Sequence, residues 1–220
     1  MNKSLKYYFW ATYHRKKLDE LQEKHKRVYK GIVLDIGGRD RGRFNKPRDK
    51  VKKWIFADIE KKHNPDLVLD VAKMKGIKSQ SIDVISAIEL FEHVEEIDKG
   101  LDECYRVLKK GGILIISVPF LFPIHADPYD FQRWTEYKWR KKLTTKRFQV
   151  NTFEITGRFF TVYCGMIKTF IKSFPSIFRY VGYLLYPLLD LIVKADNTKL
   201  IKNHYIFNKY HDGYFIIAKK

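Results

Sequence analysis

An open, doubly wound α/β fold is what this 220-residue sequence predicts, on three observations. The apolar run Val33-Leu34-Asp35-Ile36-Gly37-Gly38 ends in Asp-x-Gly-Gly, the form of a strand whose carboxyl end turns sharply and lets a ligand approach the backbone. The next β-type run, Trp54 to Ala57, ends at Asp58, 23 positions after Asp35 and close to the roughly 20-residue offset at which a carboxylate receives ribose hydroxyls. Beyond it, short apolar runs alternate with amphipathic stretches, the order of a sheet joined by helical crossovers. The three together suggest an adenosine-bearing ligand in the crevice outside the strand ends.

Taken in order, residues 5–27 read as one helix, with Leu18, Leu21, His25 and Val28 three and four apart and no Pro or Gly before Gly31. Residues 32–36 and 54–57 are the first two strands. Residues 43–53 contain Pro47 and offer only Phe44 and Val51 as apolar positions, too few for an amphipathic helix, so a loop is expected there. Residues 67–69 form a short third strand and residues 82–87 a fourth, buried on both faces by its composition. Residues 95–109 carry Ile97, Leu101, Tyr105 and Leu108 on one stripe, acidic residues at the start and lysines at the end, and stop at Gly111-Gly112. Strand 113–118, helix 135–147, strand 149–155 and a last strand at 213–219 complete the series.

The motifs in this order resemble the class I S-adenosylmethionine-dependent methyltransferases of the type 11 kind, over roughly residues 31–156 plus the C-terminal strand. The resemblance rests on Asp35-Ile36-Gly37-Gly38, Asp58, Asp70 in LVLDVAKM, Ser81 to Ile85, Glu89 to Val94, and Arg106-Val107-Leu108-Lys109-Lys110-Gly111-Gly112. It implies a Rossmann-like seven-stranded, mostly parallel sheet with helices on both faces and the last strand antiparallel at the edge. An N-terminal helix or lid (1–30) and a helical insertion (157–207) would be added to the core of 31–156 and 208–220. It also implies S-adenosyl-L-methionine as cofactor, held by Asp35, Gly37, Gly38, Asp58, Asp70, Val71 and Glu89, with Asp70 and Val71 beside the adenine. Arg39 stands where the family has its second glycine; a non-catalytic, membrane-peripheral binding module with a degenerate cofactor site is the competing reading. A nicotinamide site fits less well, because G-x-G-x-x-G is absent.

Methyl transfer asks a protein to align an acceptor, exclude water and, for an oxygen or ring-nitrogen acceptor, remove a proton. The fourth and fifth strands end at Glu89-Leu90-Phe91-Glu92-His93 and at PFLFPIHADPYDFQRW, so His93, His125 and Asp130 are the expected catalytic groups, with imidazole near neutral pKa. Tyr129, Phe131 and Trp134 could stack on a ring or sugar. The Glu89-x-x-Glu92-His93 spacing is similar to a divalent-metal set in some quinone-ring and small-RNA methyltransferases. The wider family uses such a sequence to open a helix, and the loop after the fifth strand offers no obvious fixed ligand set, so no metal is expected.

Net charge is +18, with 43 basic against 25 acidic residues, and two segments supply most of it. Residues 1–30 hold nine basic and three acidic side chains, and residues 157–207 hold seven and two. Both are rich in aromatics, which suits an anionic membrane surface or another polyanionic partner; nucleic acid is not expected. Residues 177–193 are apolar but interrupted by Arg179, Gly182, Pro187 and Asp190, which favours an interfacial hairpin or a substrate lid over a bilayer span. Cys104 and Cys164 sit in apolar segments without metal-ligand spacing, the run after Lys6 is too short for a signal sequence, and a cytoplasmic location, peripheral at the membrane, is expected. The expected acceptor is a small-molecule, glycan or lipid-linked compound.

Overall fold

The computed structural model describes residues 3–38 and 42–220; Arg39 lies outside the described residues. Its seven strands are β1 (Gly31–Ile36), β2 (Val51–Asp58), β3 (Leu67–Val68), β4 (Ile82–Ile88), β5 (Leu108–Pro119), β6 (Gln149–Ile155) and β7 (Gly213–Lys219). They form one sheet of order β3-β2-β1-β4-β5-β7-β6, parallel except for β7, which runs antiparallel to both β5 and β6. β7 is therefore interior and β6 is the edge, which corrects the expected edge position of the last strand. Burial follows this order: all but the last residue of β7 are buried, whereas β6 is half-exposed along its length, as suits a strand with one unpaired rim.

Side-chain alternation sorts the apolar residues onto two faces. Leu34, Ile85, Leu114, Ile116, Tyr214 and Ile216 pack on one face beneath α3 (Ile97–Val107) and α4 (Glu136–Thr145), where Leu101, Cys104, Trp139 and Leu143 are buried. Val33, Val84, Ile115, Phe215 and Ile217 point the other way, against Leu18 and Leu21 of α2 (Tyr13–Lys24). Each such fully buried Leu, Ile or Val contributes about 1.5–3 kcal/mol. Residues 42–50 contain no helix, and that face is closed instead by aromatics: Tyr29 lies 5.2 Å from Trp54 and 5.5 Å from Phe44 between ring centroids.

The N-terminal helix is two helices, α1 (Lys3–Trp10) and α2, because Thr12 is extended and its hydroxyl accepts from Arg15 N at 3.0 Å, capping a new start. α3 ends at Val107 rather than at the glycines: Leu108 is already extended and opens β5, with Gly111 at φ +75° inside the strand. The insertion is helical throughout, as α5 (Phe159–Ser173), α6 (Ser176–Gly182), α7 (Tyr186–Val193) and α8 (Lys199–Asn203), with 3-10 turns between α6 and α7 and after α7. The buried Asp196 carboxylate accepts from the backbone N–H groups of Arg158, Phe160 and Thr161 at 2.8–3.1 Å, so the return of the insertion caps the start of α5.

Ser176–Asn197 forms a continuous 22-residue helical run with an 18-residue window of mean hydropathy 1.4, enough in length and composition to cross a bilayer, and 11% of that window is buried. The interruptions read in the sequence do not break it. One face is nonetheless committed to the protein: Tyr186 and Leu189 are buried against Tyr13, Cys164 and Ile171, and Asp190 lies 3.8 Å from Lys16. Ile177, Phe178, Val181, Leu184, Leu188 and Leu191 are exposed on the other.

Candidate functional site

The carboxyl ends of β1, β2 and β4 open into a cleft of about 920 Å³, walled on one side by Arg15, Asp19 and Gln22 of α2. Of the sequence-predicted residues, Asp35, Gly37, Gly38, Asp58, Glu89, His93 and His125 line it together. Gly37 takes φ +70°, and a Cβ on Gly38 would lie 2.1 Å from the Asp35 carboxylate, so both positions require glycine and leave backbone open to the cleft. Asp35 is buried, with Lys46 Nζ 3.0 Å from its carboxylate. Asp58 ends β2; one oxygen accepts from Glu60 N at 2.8 Å and the other lies 3.0 Å from His63 Nδ1. A carboxylate has about four lone-pair sites, so acceptor capacity remains toward the cleft.

The other predicted residues fall elsewhere. Val71 is buried in the core against Gly100, and Asp70 is exposed, its carboxylate accepting from Ala72 N at 2.8 Å to close a turn. Neither lines the cleft; Ile59, beside Asp58, is part of its wall instead. Asp130 also stands outside the lining: it grips Arg133 through both oxygens and accepts from His125 N at 2.9 Å, so it shapes the loop that carries His125.

A buried group that the sequence did not reveal joins the two ends of the chain. His14, on α2, lies with Nε2 3.1 Å from Glu89 Oε2 and Nδ1 2.5 Å from Asp212 Oδ2. Thr156 Oγ1 donates to the same Asp212 oxygen at 3.0 Å, and Ser117 Oγ donates to Glu89 Oε1 at 2.7 Å. Burial opposes charge on His14, but the two carboxylates outweigh it and raise its pKa well above 6.5. Burial likewise pushes Glu89 up, and the His14 charge then holds it down at about 2. Glu89 itself adopts φ +52°, a left-handed backbone that non-glycine residues rarely take and that recurs at functional sites. Residues 198 positions apart leave no signal of spacing, and one His between polar neighbours leaves none of composition.

At the far end of the cleft, Glu92 is buried beneath His93 and His125, whose rings lie edge-on at 4.9 Å. Burial, and then the Glu89 charge, drive the Glu92 carboxyl well above its ordinary range. Burial lowers His93, so its imidazole is neutral at pH 7. A second cleft, about 660 Å³ and largely apolar, lies between the start of α2, the loop after β5 and α5; His14 and Asp212 line it, while Glu89 faces the first.

The first cleft fits S-adenosyl-L-methionine on its own geometry: a glycine turn with no room for a side chain, a carboxylate with spare acceptor sites at the end of the next strand, and an apolar wall beside it. Residues 48–116 match a family model described as a methyltransferase domain. No curated protein matches the chain by sequence. Among solved structures, the chain is similar to the [4+2]-cyclase SpnF (TM-score 0.59, 16% identity, 93% of this chain and 80% of that one). It is also similar to a SAM-dependent methyltransferase from Archaeoglobus fulgidus (0.56, 16%, 94% of each chain). A third is phosphoethanolamine N-methyltransferase 2 of Haemonchus contortus in complex with S-adenosyl-L-methionine (0.52, 14%, 93% of this chain and 52% of that one). At these identities the structural likeness shows the fold. The family match spans β2 to β5, about a third of the chain, and the expected motifs line one cleft, so the chain carries a methyltransferase domain within a Rossmann-like fold.

Proposed function

We propose that the enzyme methylates an amphipathic, lipid-linked acceptor at an anionic membrane surface. The observation that carries this reading is the second cleft: it is apolar, it meets the cofactor cleft at the buried His14–Glu89 contact, and its α5 wall includes Met166 and Phe170, each 64% exposed at the surface. An acceptor could place its apolar part there and its polar head toward Glu89. The exposed apolar face of the 176–197 run lies on the same insertion and would rest in the interface, since its other face is packed on the protein and cannot be lipid-covered.

When bound, the cofactor supplies an electrophilic methyl group. Gly37 and Gly38 would let its chain approach β1, Asp58 would accept from its ribose hydroxyls, and α2 would exclude water. His93 and His125 line this cleft and would take up a proton from an oxygen or nitrogen acceptor.

The test incubates the protein with methyl-labelled cofactor and either vesicles of a total lipid extract or a water-soluble extract. Label entering the organic phase supports the reading; label confined to water-soluble product overturns the lipid-linked acceptor. Sedimentation with anionic and neutral liposomes at low and high salt examines location. Each Lys or Arg near the surface should contribute about 1 kcal/mol, screened by salt, so binding should be partly salt-sensitive. A protein that stays in the supernatant in all conditions refutes membrane docking.

A further inference from the structure

We propose that Glu92, His93 and His125 form a binding site for a first-row divalent metal ion such as Zn²⁺ or Mn²⁺. Their ligand atoms all lie within 4.8 Å of one another. Glu92 Oε1 is 3.6 Å from His93 Nε2 and 3.9 Å from His125 Nε2. Bonds of about 2.0–2.2 Å at tetrahedral angles would bring such atoms to about 3.4 Å from one another, so the Glu92 oxygen needs only small shifts toward each imidazole, and the two imidazoles close in from a separation of at most 4.8 Å.

Three further features point to an ion. Glu92 is 1% exposed, and neither of its carboxylate oxygens has a hydrogen-bond partner among the described residues. A buried carboxylate without partners is costly, and a cation is the partner that would satisfy it. Both histidines also present Nε2 while Nδ1 is occupied behind them. His93 Nδ1 lies 2.6 Å from the Tyr129 carbonyl oxygen. His125 Nδ1 lies 3.3 Å from the Pro123 carbonyl and 3.3 Å from Asp130 Oδ2, with Arg133 Nη2 at 3.4 Å. Ligating imidazoles are held in this way, with an outer acceptor fixing the tautomer that leaves the other nitrogen free. Finally, the set is one carboxylate and two imidazoles, all neutral-to-hard N and O donors, which favours Zn²⁺ or Mn²⁺ over Ca²⁺ or Mg²⁺.

The structure thereby departs from the sequence spacing. Glu89 is turned away, with one oxygen taken by Ser117 and the other beside His14, and the loop after β5, which showed no fixed ligands, delivers His125. Both histidines line the cofactor cleft, so open coordination positions would face an acceptor oxygen. That role toward the acceptor rests on the methyltransferase reading above; ion binding does not.

The test is isothermal titration of tag-free full-length protein, stripped with chelator, with Zn²⁺, Mn²⁺ and Mg²⁺ separately, beside titration with S-adenosylhomocysteine. One ion per chain is expected, with Zn²⁺ or Mn²⁺ bound at least tenfold more tightly than Mg²⁺. Glu92→Gln and His125→Ala should each weaken it at least tenfold, while Asp102→Asn, exposed on α3, changes it less than threefold. Far-UV circular dichroism and retained S-adenosylhomocysteine affinity establish that each variant is folded. Absence of one-to-one binding in the wild type, or binding indifferent to His125→Ala in a folded variant, overturns the site. Ion binding without methyl transfer would leave the site standing and count against the acceptor reading alone.

Discussion

Replacing His14 by Ala removes the single imidazolium between two carboxylates that are almost out of water: the side chains of His14, Asp212 and Glu89 are 4%, 7% and 15% exposed. Solvent screens such a group little, and removing one member of a buried ion pair costs about 3–5 kcal/mol because the remaining charge is left without compensation. Against a typical domain stability of about 5–15 kcal/mol this is a large fraction. The sign with pH follows from the two shifts. His14 has a folded pKa raised above 6.5, so its stabilisation is complete below 6.5 and fades as pH rises toward the folded value. Glu89 is depressed from 4.5 to about 2, so its stabilisation is complete above 4.5 and fades as pH falls toward 2. The difference between wild type and variant should thus be greatest between pH 4.5 and 6.5 and shrink on both sides. Urea unfolding followed by tryptophan fluorescence at pH 5.5, 7.5 and 9 measures it, and adding Asp212→Asn to His14→Gln should recover part of the loss. A difference below about 1 kcal/mol that does not vary with pH would refute a charged His14.

Asp58→Ala should weaken S-adenosylhomocysteine binding by about 1.5–3 kcal/mol, the range for a hydrogen bond to a charged group, as read by isothermal titration; unchanged affinity in a folded variant removes Asp58 from the site. Gly38→Ala, whose Cβ would lie 2.1 Å from the Asp35 carboxylate, should lower cofactor affinity at least tenfold, again by titration, while Gly165→Ala, with nothing within 4 Å of the new Cβ, should not. His125→Ala should reduce turnover far more than cofactor affinity, compared by steady-state assay and titration; equal losses in both would make it structural. Trp139→Ala, deleting a 2% exposed ring packed 4.9 Å from Trp134 and 6.1 Å from Phe91, should cost about 3–5 kcal/mol in chemical denaturation.

What the sequence determined by itself was local. Strands β6 and β7 could be read to the residue because alternation and breakers act between neighbours. The cofactor turn was legible for the same reason: Asp35, Gly37, Gly38 and Asp58 sit on consecutive strand ends, and parallel pairing of β1 with β2 must bring those ends together. Weak local signals mislead: the Thr12 cap lies inside an apolar periodic stretch that reads as one helix, and the α3 stripe reads on to the glycines although β5 begins at Leu108. What only the tertiary structure decided was convergence across the chain. Interior placement of β7 depends on burial from both faces, which comes from helices distant in sequence. The His14–Glu89–Asp212 contact and the meeting of Glu92 with His125 depend on three-dimensional closure of the sheet, and no spacing records which of several polar residues on three loops will share a desolvated site. Burial is what turns these ordinary side chains into partners, because a charge out of water has to find its counter-charge or ion wherever the fold has placed it.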